Sequence, residues 1–517
     1  MADRSLFTTA ELVYLTLSFL SVSDCATVLL VNRLFFREGV KLVWSQLSSP
    51  APLFALFCPH TLEVSPNGFR SYKISAPKKI TSRGWERSRV YADCVRKVSN
   101  FREAFHDQSV RWTGLGGLIQ QGPVAANVHV IEVSWGASIT RNTDVSNLVK
   151  LLLGPATFAL KCHGSGFPGL SVREAEMLLR RARTVGSRLT ELMLRTEDPK
   201  NEKALVALTV MIRNFGLLAT VDLSKALVTG PMLECMRDLP NLGRLVLAVP
   251  SESAEVSLWN YLANEGDWVG QPFPSLRSLA FHDSSCSAVH RLLSARRSFL
   301  RGITELYVHL RNRPGPQSPG TTGLESFSSL VELIVSEASS LEDLTITLPD
   351  NCRRPWTLLP EVFSSLFSLK LRRLALHNVR LPFASPELGL IDGKWPLLSH
   401  LVMPYQRVRP NTLLQLAERR ALRLLRVEIQ APRPGEEVST EDMTVNVSTV
   451  PMQLEGLFDV GETGDTVETM ARFLLYCWPN VSLVWRDRAE NWPLEGPSHT
   501  PYIALMAKIN ALRDGDL

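Results

Sequence analysis

One hydrophobic phrase recurs along most of the chain: apolar, two residues, apolar, one residue, apolar. Leu189-x-x-Leu192-x-Leu194 is its first clear instance, within a stretch that starts near residue 128. Phrases then begin at Leu218, Leu242, Leu276, Ile303, Leu330, Leu341, Leu371, Leu398 and Leu422. Each alternates as a short strand with one buried face does. A proline or polar turn often comes first, as in Leu239-Pro240-Asn241-Leu242, Phe273-Pro274-Ser275-Leu276 and Trp395-Pro396-Leu397-Leu398. Between phrases the spacing becomes helical, as in Val256 to Leu262 and Val289 to Leu293. The middle positions lie 24 to 34 residues apart, except for a gap of 11 between Leu333 and Leu344. That gap implies that one of those two phrases is not a ladder strand.

One strand and one helix cannot bury their own apolar faces, so neighbouring repeats must stack. The expectation is an α/β chain with an irregular solenoid over residues 128–490 and a tail or cap over 491–517. The last repeat has a helix at Thr466 to Leu475, a Trp478-Pro479-Asn480 turn and a strand from Val481 to Trp485; a short helix, Ile503 to Leu512, follows. Upstream, residues 49–127 read as a linking helical region. The first 50 residues follow another pattern, with three short helical stretches. In the first, Val13, Leu17 and Leu20 form one stripe and Leu12, Leu15 and Phe19 another. A unit of roughly 40 residues is near the lower size limit for folding alone. One stripe can face its interior; the other predicts docking on the rest of the chain or on another protein.

The repeat period and phrase resemble the leucine-rich-repeat region of fungal F-box proteins, although the asparagine that usually follows the strand is mostly absent. Residues 5–48 resemble the F-box itself, the adaptor-binding module of Skp–cullin–F-box ubiquitin ligases. The places that carry this are Glu11, Phe19-Leu20, Asp24, Val31 (assigned to the second helix) and Leu42-Val43-Trp44. Thr8-Thr9 replaces the family's Leu-Pro pair, and either threonine would serve as a helix cap. The resemblance implies a substrate receptor that does no chemistry, binding a Skp-type adaptor and through it a cullin. Leu12, Leu15, Leu17, Leu20, Val31, Leu42 and Trp44 would form the adaptor interface or its supporting core. The alternative is a repeat scaffold whose N-terminal helices merely cap the solenoid.

Strand alternation aims the second x of each phrase outward. Arg244, Ser278, Glu305, Glu332, Arg373, His400 and Leu424 are therefore candidates for contact with an unknown protein target.

Composition changes this picture little. The 517 residues are 45% hydrophobic and 21% charged, as in ordinary globular proteins, and the net charge of +5 points to no nucleic-acid partner. Residues 70–111 hold eleven lysines and arginines against four acids, interleaved with Tyr72, Trp85, Tyr91 and Phe101. Such a run fits either an anionic partner or a solvated helix face. Eight dispersed cysteines, with no Cys-x-x-Cys, and no secretory signal or membrane span suit an intracellular protein of the cytoplasm or nucleus. The sequons at Asn446 and Asn480 would then go unused. Arg313 to Gly323 and Pro432 to Asp442 read as surface insertions.

No enzyme or cofactor signature survives inspection. Gly164-Ser165-Gly166-Phe167-Pro168-Gly169 fits a dinucleotide fingerprint, but the capping box Ser171-Val172-Arg173-Glu174 starts the helix after the third glycine. Cys286 and His290 share a helical spacing, yet a zinc site needs three or four ligands. His282-Asp283-Ser284-Ser285 holds triad residue types only by adjacency, which carries no weight.

Overall fold

The computed structural model describes residues 10–64, 70–77, 81–99, 109–133, 142–162, 170–197, 202–225, 228–249, 256–264, 268, 272–311, 322–349, 355–382, 394–417, 421–430, 451–455, 458–459, 464–484 and 499–514. Thr8, Thr9, Gly164 to Gly169, Pro432 to Asp442, Asn446 and nearly all of the Arg313–Gly323 segment lie outside these. The chain forms two compact units: residues 1–247 with 273–275, and 248–272 with 276–517.

Each unit is built on a parallel strand ladder, with helices among the described residues between many of the consecutive strands. The first holds β1 (Gln46–Leu47), β2 (Lys97–Ser99), β3 (Val130–Val133), β4 (Ala159–Cys162), β5 (Glu191–Glu197), β6 (Thr220–Lys225) and β7 (Arg244–Leu247), each paired with the next. The second holds β8 (Ser278–Ser284), β9 (Glu305–Leu310), β10 (Asp343–Thr347), β11 (Arg373–His377), β12 (His400–Val408), β13 (Leu424–Gln430), β14 (Met452–Glu455) and β15 (Val481–Val484), again in chain order. This strand–helix repetition is the leucine-rich-repeat-like architecture that the phrase predicts. The ladder also begins earlier than the clear phrases do, since β1 and β2 pair within it.

The apolar positions of the phrase build the cores. Leu306, Val308, Leu374, Leu376 and Leu401 are all buried. Burying each such side chain stabilises by about 1.5–3 kcal/mol relative to leaving it in water. Trp395, at the turn before β12, is fully buried against Phe363 and Phe367, and its indole N–H donates to the Leu366 carbonyl at 3.2 Å.

The missing asparagine leaves a task undone: buried backbone groups at the ends of the strands still need partners. Other side chains supply them. Ser284, three residues beyond Phe281, accepts from the Val249 amide at 2.8 Å. Gln406, three beyond Met403, accepts from the Leu381 amide at 2.7 Å. Asn378, two beyond Leu376, has φ of 60° and donates to the Leu348 carbonyl at 2.8 Å. All three are buried. Ser284 thus has a backbone partner to satisfy.

One phrase is corrected outright. Leu330-x-x-Leu333-x-Val335 lies inside a helix, Thr322–Glu337, so Glu332 is an exposed helical residue and not a strand-face one. Leu341 to Ile346 is the true strand of that pair. The capping box at Ser171 forms as expected, with Glu174 reaching back to the Ser171 amide, and its helix spans Val172–Thr184. The chain's final helix, His499–Asp514, covers the end of the second ladder. Tyr502 donates to the Leu483 carbonyl at 3.2 Å, and Arg513 donates to the Val481 carbonyl.

Candidate functional site

Two surfaces stand out, one in each unit. The first is the N-terminal module: α1 (Ala10–Ser18), α2 (Val22–Val28) and α3 (Arg33–Ser45). Capping sets its breaks. Ser21 accepts from the Asp24 amide and starts α2, and Asn32 accepts from the amides of Leu34 and Phe35 and starts α3. Val13, Leu17 and Cys25 form the interior, with Val28, Leu34, Phe35, Leu42 and Val43 packed around it. Gly39 lets α3 approach, because a Cβ there would collide with the Leu29 side chain and press on Leu17.

α3 runs straight into β1, the first ladder strand. The ring of Trp44 lies tilted against Tyr91 at 4.8 Å, Phe36 meets the same tyrosine edge-on, and the Arg96 amide donates to the Ser45 carbonyl. The module is therefore continuous with the first repeats.

The candidates from the sequence divide accordingly. Leu17 is interior, and Leu42 packs against the same core. Trp44 points to Tyr91 in the helix Ser82–Ala92 and supports the junction. Leu12, Leu15, Leu20 and Val31 are exposed. Of the two stripes, the Leu12, Leu15 and Phe19 stripe faces water, while Leu20 leaves the Val13–Leu17 stripe to join it. Val31 is not in the second helix, as its motif position implied: α2 ends at Val28, and Val31 lies in the turn before Asn32. Phe19, 82% exposed, and Leu30, 88% exposed, complete the patch together with Tyr14 and Val22. Leu30 was missed from the sequence, although four consecutive apolar residues, Val28 to Val31, running from the end of a short helix into a turn cannot all face inward.

The second surface is the strand face of the second unit. Its register aligns Ser278, Glu305, Asp343, Arg373, His400, Leu424, Gln453 and Ser482 in one row. The next row includes Ala280, Tyr307, Thr345, Ala375 and Val402. Ser278 is buried, against the expectation of an accessible contact, because the serine side chain is too short to rise above its neighbours. Glu305, Arg373, His400 and Leu424 all reach the surface, Arg373 most fully. In the first unit, Arg244 opens β7 and is exposed.

Asp343, which opens β10, sits at the centre of this row. Its Oδ2 accepts from the Tyr307 hydroxyl at 3.3 Å and faces Arg373 Nη1 at 3.4 Å. Burial raises its pKa above the ordinary carboxylate range, and Arg373 opposes that rise. Burial likewise raises the Tyr307 pKa, with Asp343 adding to it. His400 moves the other way: burial, then Arg373 and Arg423, hold it below the usual imidazole range. Its Nδ1 lies 2.8 Å from the Ser399 hydroxyl.

Cys286 and His290 fall on one helix, Cys286–Ala295, but burial pushes the Cys286 thiol up to about 12, and His290 Nε2 is within 3.3 Å of the Ser294 hydroxyl. Among the described residues, no three His, Cys, Asp or Glu side chains are grouped to hold a metal. No helix among them is long and apolar enough to cross a membrane.

No protein-family model matches the chain. No curated protein sequence matches it either. Among solved structures, it is similar to a leucine-rich-repeat protein of Leptospira interrogans at 13% identity and a TM-score of 0.34, over 80% of this chain and 88% of that one.

Proposed function

We propose that the chain is an interaction protein rather than an enzyme: a target-recognition subunit of a Skp–cullin–F-box ubiquitin ligase. The N-terminal module binds a Skp-type adaptor, and the strand face of the repeats binds a protein target. Catalysis then rests on proximity, since holding two reactants together raises their effective concentration. No membrane or nucleic acid takes part.

One observation supports this most. Of eighteen exposed large apolar side chains among the described residues, eight fall between Leu12 and Val31. A concentration of that kind marks a surface that another molecule covers. The second reading, a repeat scaffold without ligase assembly, draws on the junction at Trp44 and Tyr91, where the module caps the first repeats. Capping uses α3 and accounts for nothing on α1 and α2.

Co-expression of the full chain with a Skp-type adaptor, followed by affinity purification, separates the two. The expected result is stoichiometric adaptor with the wild type and none with the Leu15→Asp, Phe19→Asp double variant. A wild-type chain that purifies without adaptor leaves the scaffold reading in place.

A further inference from the structure

We infer that the strand face of the second unit receives an acidic segment of a protein partner, at a cationic patch formed by Arg373, His400 and Arg423. This rests on the proposal that the strand face holds a target, and is independent of adaptor binding.

Charge segregates along the ladder. Glu305 in β9 is followed by Glu342 just before β10 and Asp343 at its start. On the three strands that follow and the residues just before them, Arg372, Arg373, His377, His400, Arg407, Arg423 and Arg426 face a single acid, Glu428. Parallel strands lie about 4.8 Å apart. Arg373, His400 and Leu424 hold matching register positions, so Arg423 lies one residue from that row.

The nearby acids are largely committed. Glu342 pairs with Arg372 at 3.0 Å, and Glu428 pairs with Arg407 at 2.9 Å. Asp343 divides one oxygen between Tyr307 and Arg373. Among the described residues Arg373 makes that one long ion pair, and its side chain is 46% exposed, which leaves most of its five donors available. The exposed Arg423 side chain has no carboxylate partner among the described residues. The Ser399 hydroxyl occupies Nδ1 of His400 and leaves Nε2 for a ligand. Burial first, and then Arg373 and Arg423, depress the basicity of His400.

A carboxylate suits this geometry. The guanidinium fork donates to one bidentately, and the partly exposed Val402 in the adjoining row presents small apolar surface for its stem. A nucleic-acid backbone fits less well, because Glu305, Glu342 and Asp343 border the patch and would repel a continuous run of phosphates.

The test uses the full chain and a fluorescein-labelled Glu-Ala repeat peptide, followed by anisotropy at low salt. Arg373→Ala with Arg423→Ala should weaken binding about tenfold or more. Arg180→Ala with Arg472→Ala removes equal charge from exposed helical positions and should change it little. A Lys-Ala peptide should not bind. Should the double variant fail to fold, Arg423→Ala alone removes no internal contact and should still cost about threefold. Equal losses from both pairs of substitutions, no binding by the wild type, or binding only to a phosphoserine peptide or an oligonucleotide would each overturn the assignment. The adaptor pull-down on the same variants reads the ligase proposal separately, since neither arginine touches the module.

Discussion

The ladder and the N-terminal module use the same apolar residues to opposite ends. In the ladder, an interior strand meets another strand on either side, and Leu306, Leu374 and Leu401 lose all contact with water. In the module, α1 and α2 have α3 on one side only, and Phe19 and Leu30 stand almost fully in solvent. Each such side chain forgoes about 1.5–3 kcal/mol of burial. A repeat array closes its core by adding neighbours, whereas the module has a face that none of the described residues covers. Where the apolar residues lie matters more here than how many there are.

That contrast can be broken by mutation. The largest effect should come from the ladder. Trp395→Ala removes a fully buried indole and its hydrogen bond to Leu366, and should cost about 3–5 kcal/mol, read from urea unfolding. A loss below about 1 kcal/mol would mean that the core around β12 is not closed as described.

A smaller, paired effect should appear within α1. Leu17→Ala empties the module's interior and should cost toward the lower end of about 2–5 kcal/mol, since that core is small. Hydrogen exchange over residues 10–45 would show it as lost protection. Leu15→Ser, two residues away on the exposed stripe, should leave protection within about 0.5 kcal/mol of wild type yet weaken adaptor retention. If both substitutions loosen the helix equally, the stripes are not divided into inside and outside.

The two regions also differed in how far the sequence revealed them. Nine of the ten phrases coincide with ladder strands because a strand buried on one face must alternate. Leu330 to Val335 misled because its apolar positions also satisfy a helix: Phe327, Leu330, Val331, Ile334 and Ala338 recur at helical spacing and are buried. β1, β2 and β14 are short and lack the full phrase, so their pairing partners define them. In the module, the existence of a surplus stripe was legible, but its direction was not. Packing against α3 decides that Leu17 goes in and Leu15 out, and no single helix carries that information. On the strand face, the row containing Arg373 and His400 followed from alternation. Its central member, Asp343, went unnoticed because Glu332 was read in its place.

The smallest effect concerns protons, and it too separates the regions. Residues 10–45 contain no histidine, whereas the strand face carries His400 between two arginines. The folded-state pKa of His400 lies below that of the unfolded chain, so protons favour unfolding. Its contribution to stability is fully present above the unfolded value of about 6.5 and is lost as pH falls below it. Asp343 has the opposite sign: burial raises its folded pKa, so the folded state gains as pH falls. Comparison with His400→Gln between about pH 7.5 and 5.5 isolates the histidine, because Asp343 is common to both proteins. Urea midpoints should fall more on acidification for the wild type than for His400→Gln, with the two closest at the higher pH. An acidic peptide bound at Arg373 and Arg423 should reverse that trend, because a carboxylate beside His400 favours the imidazolium and makes binding tighten as pH falls. A midpoint gap that widens toward pH 7.5 would show that neither burial nor the two arginines govern this histidine.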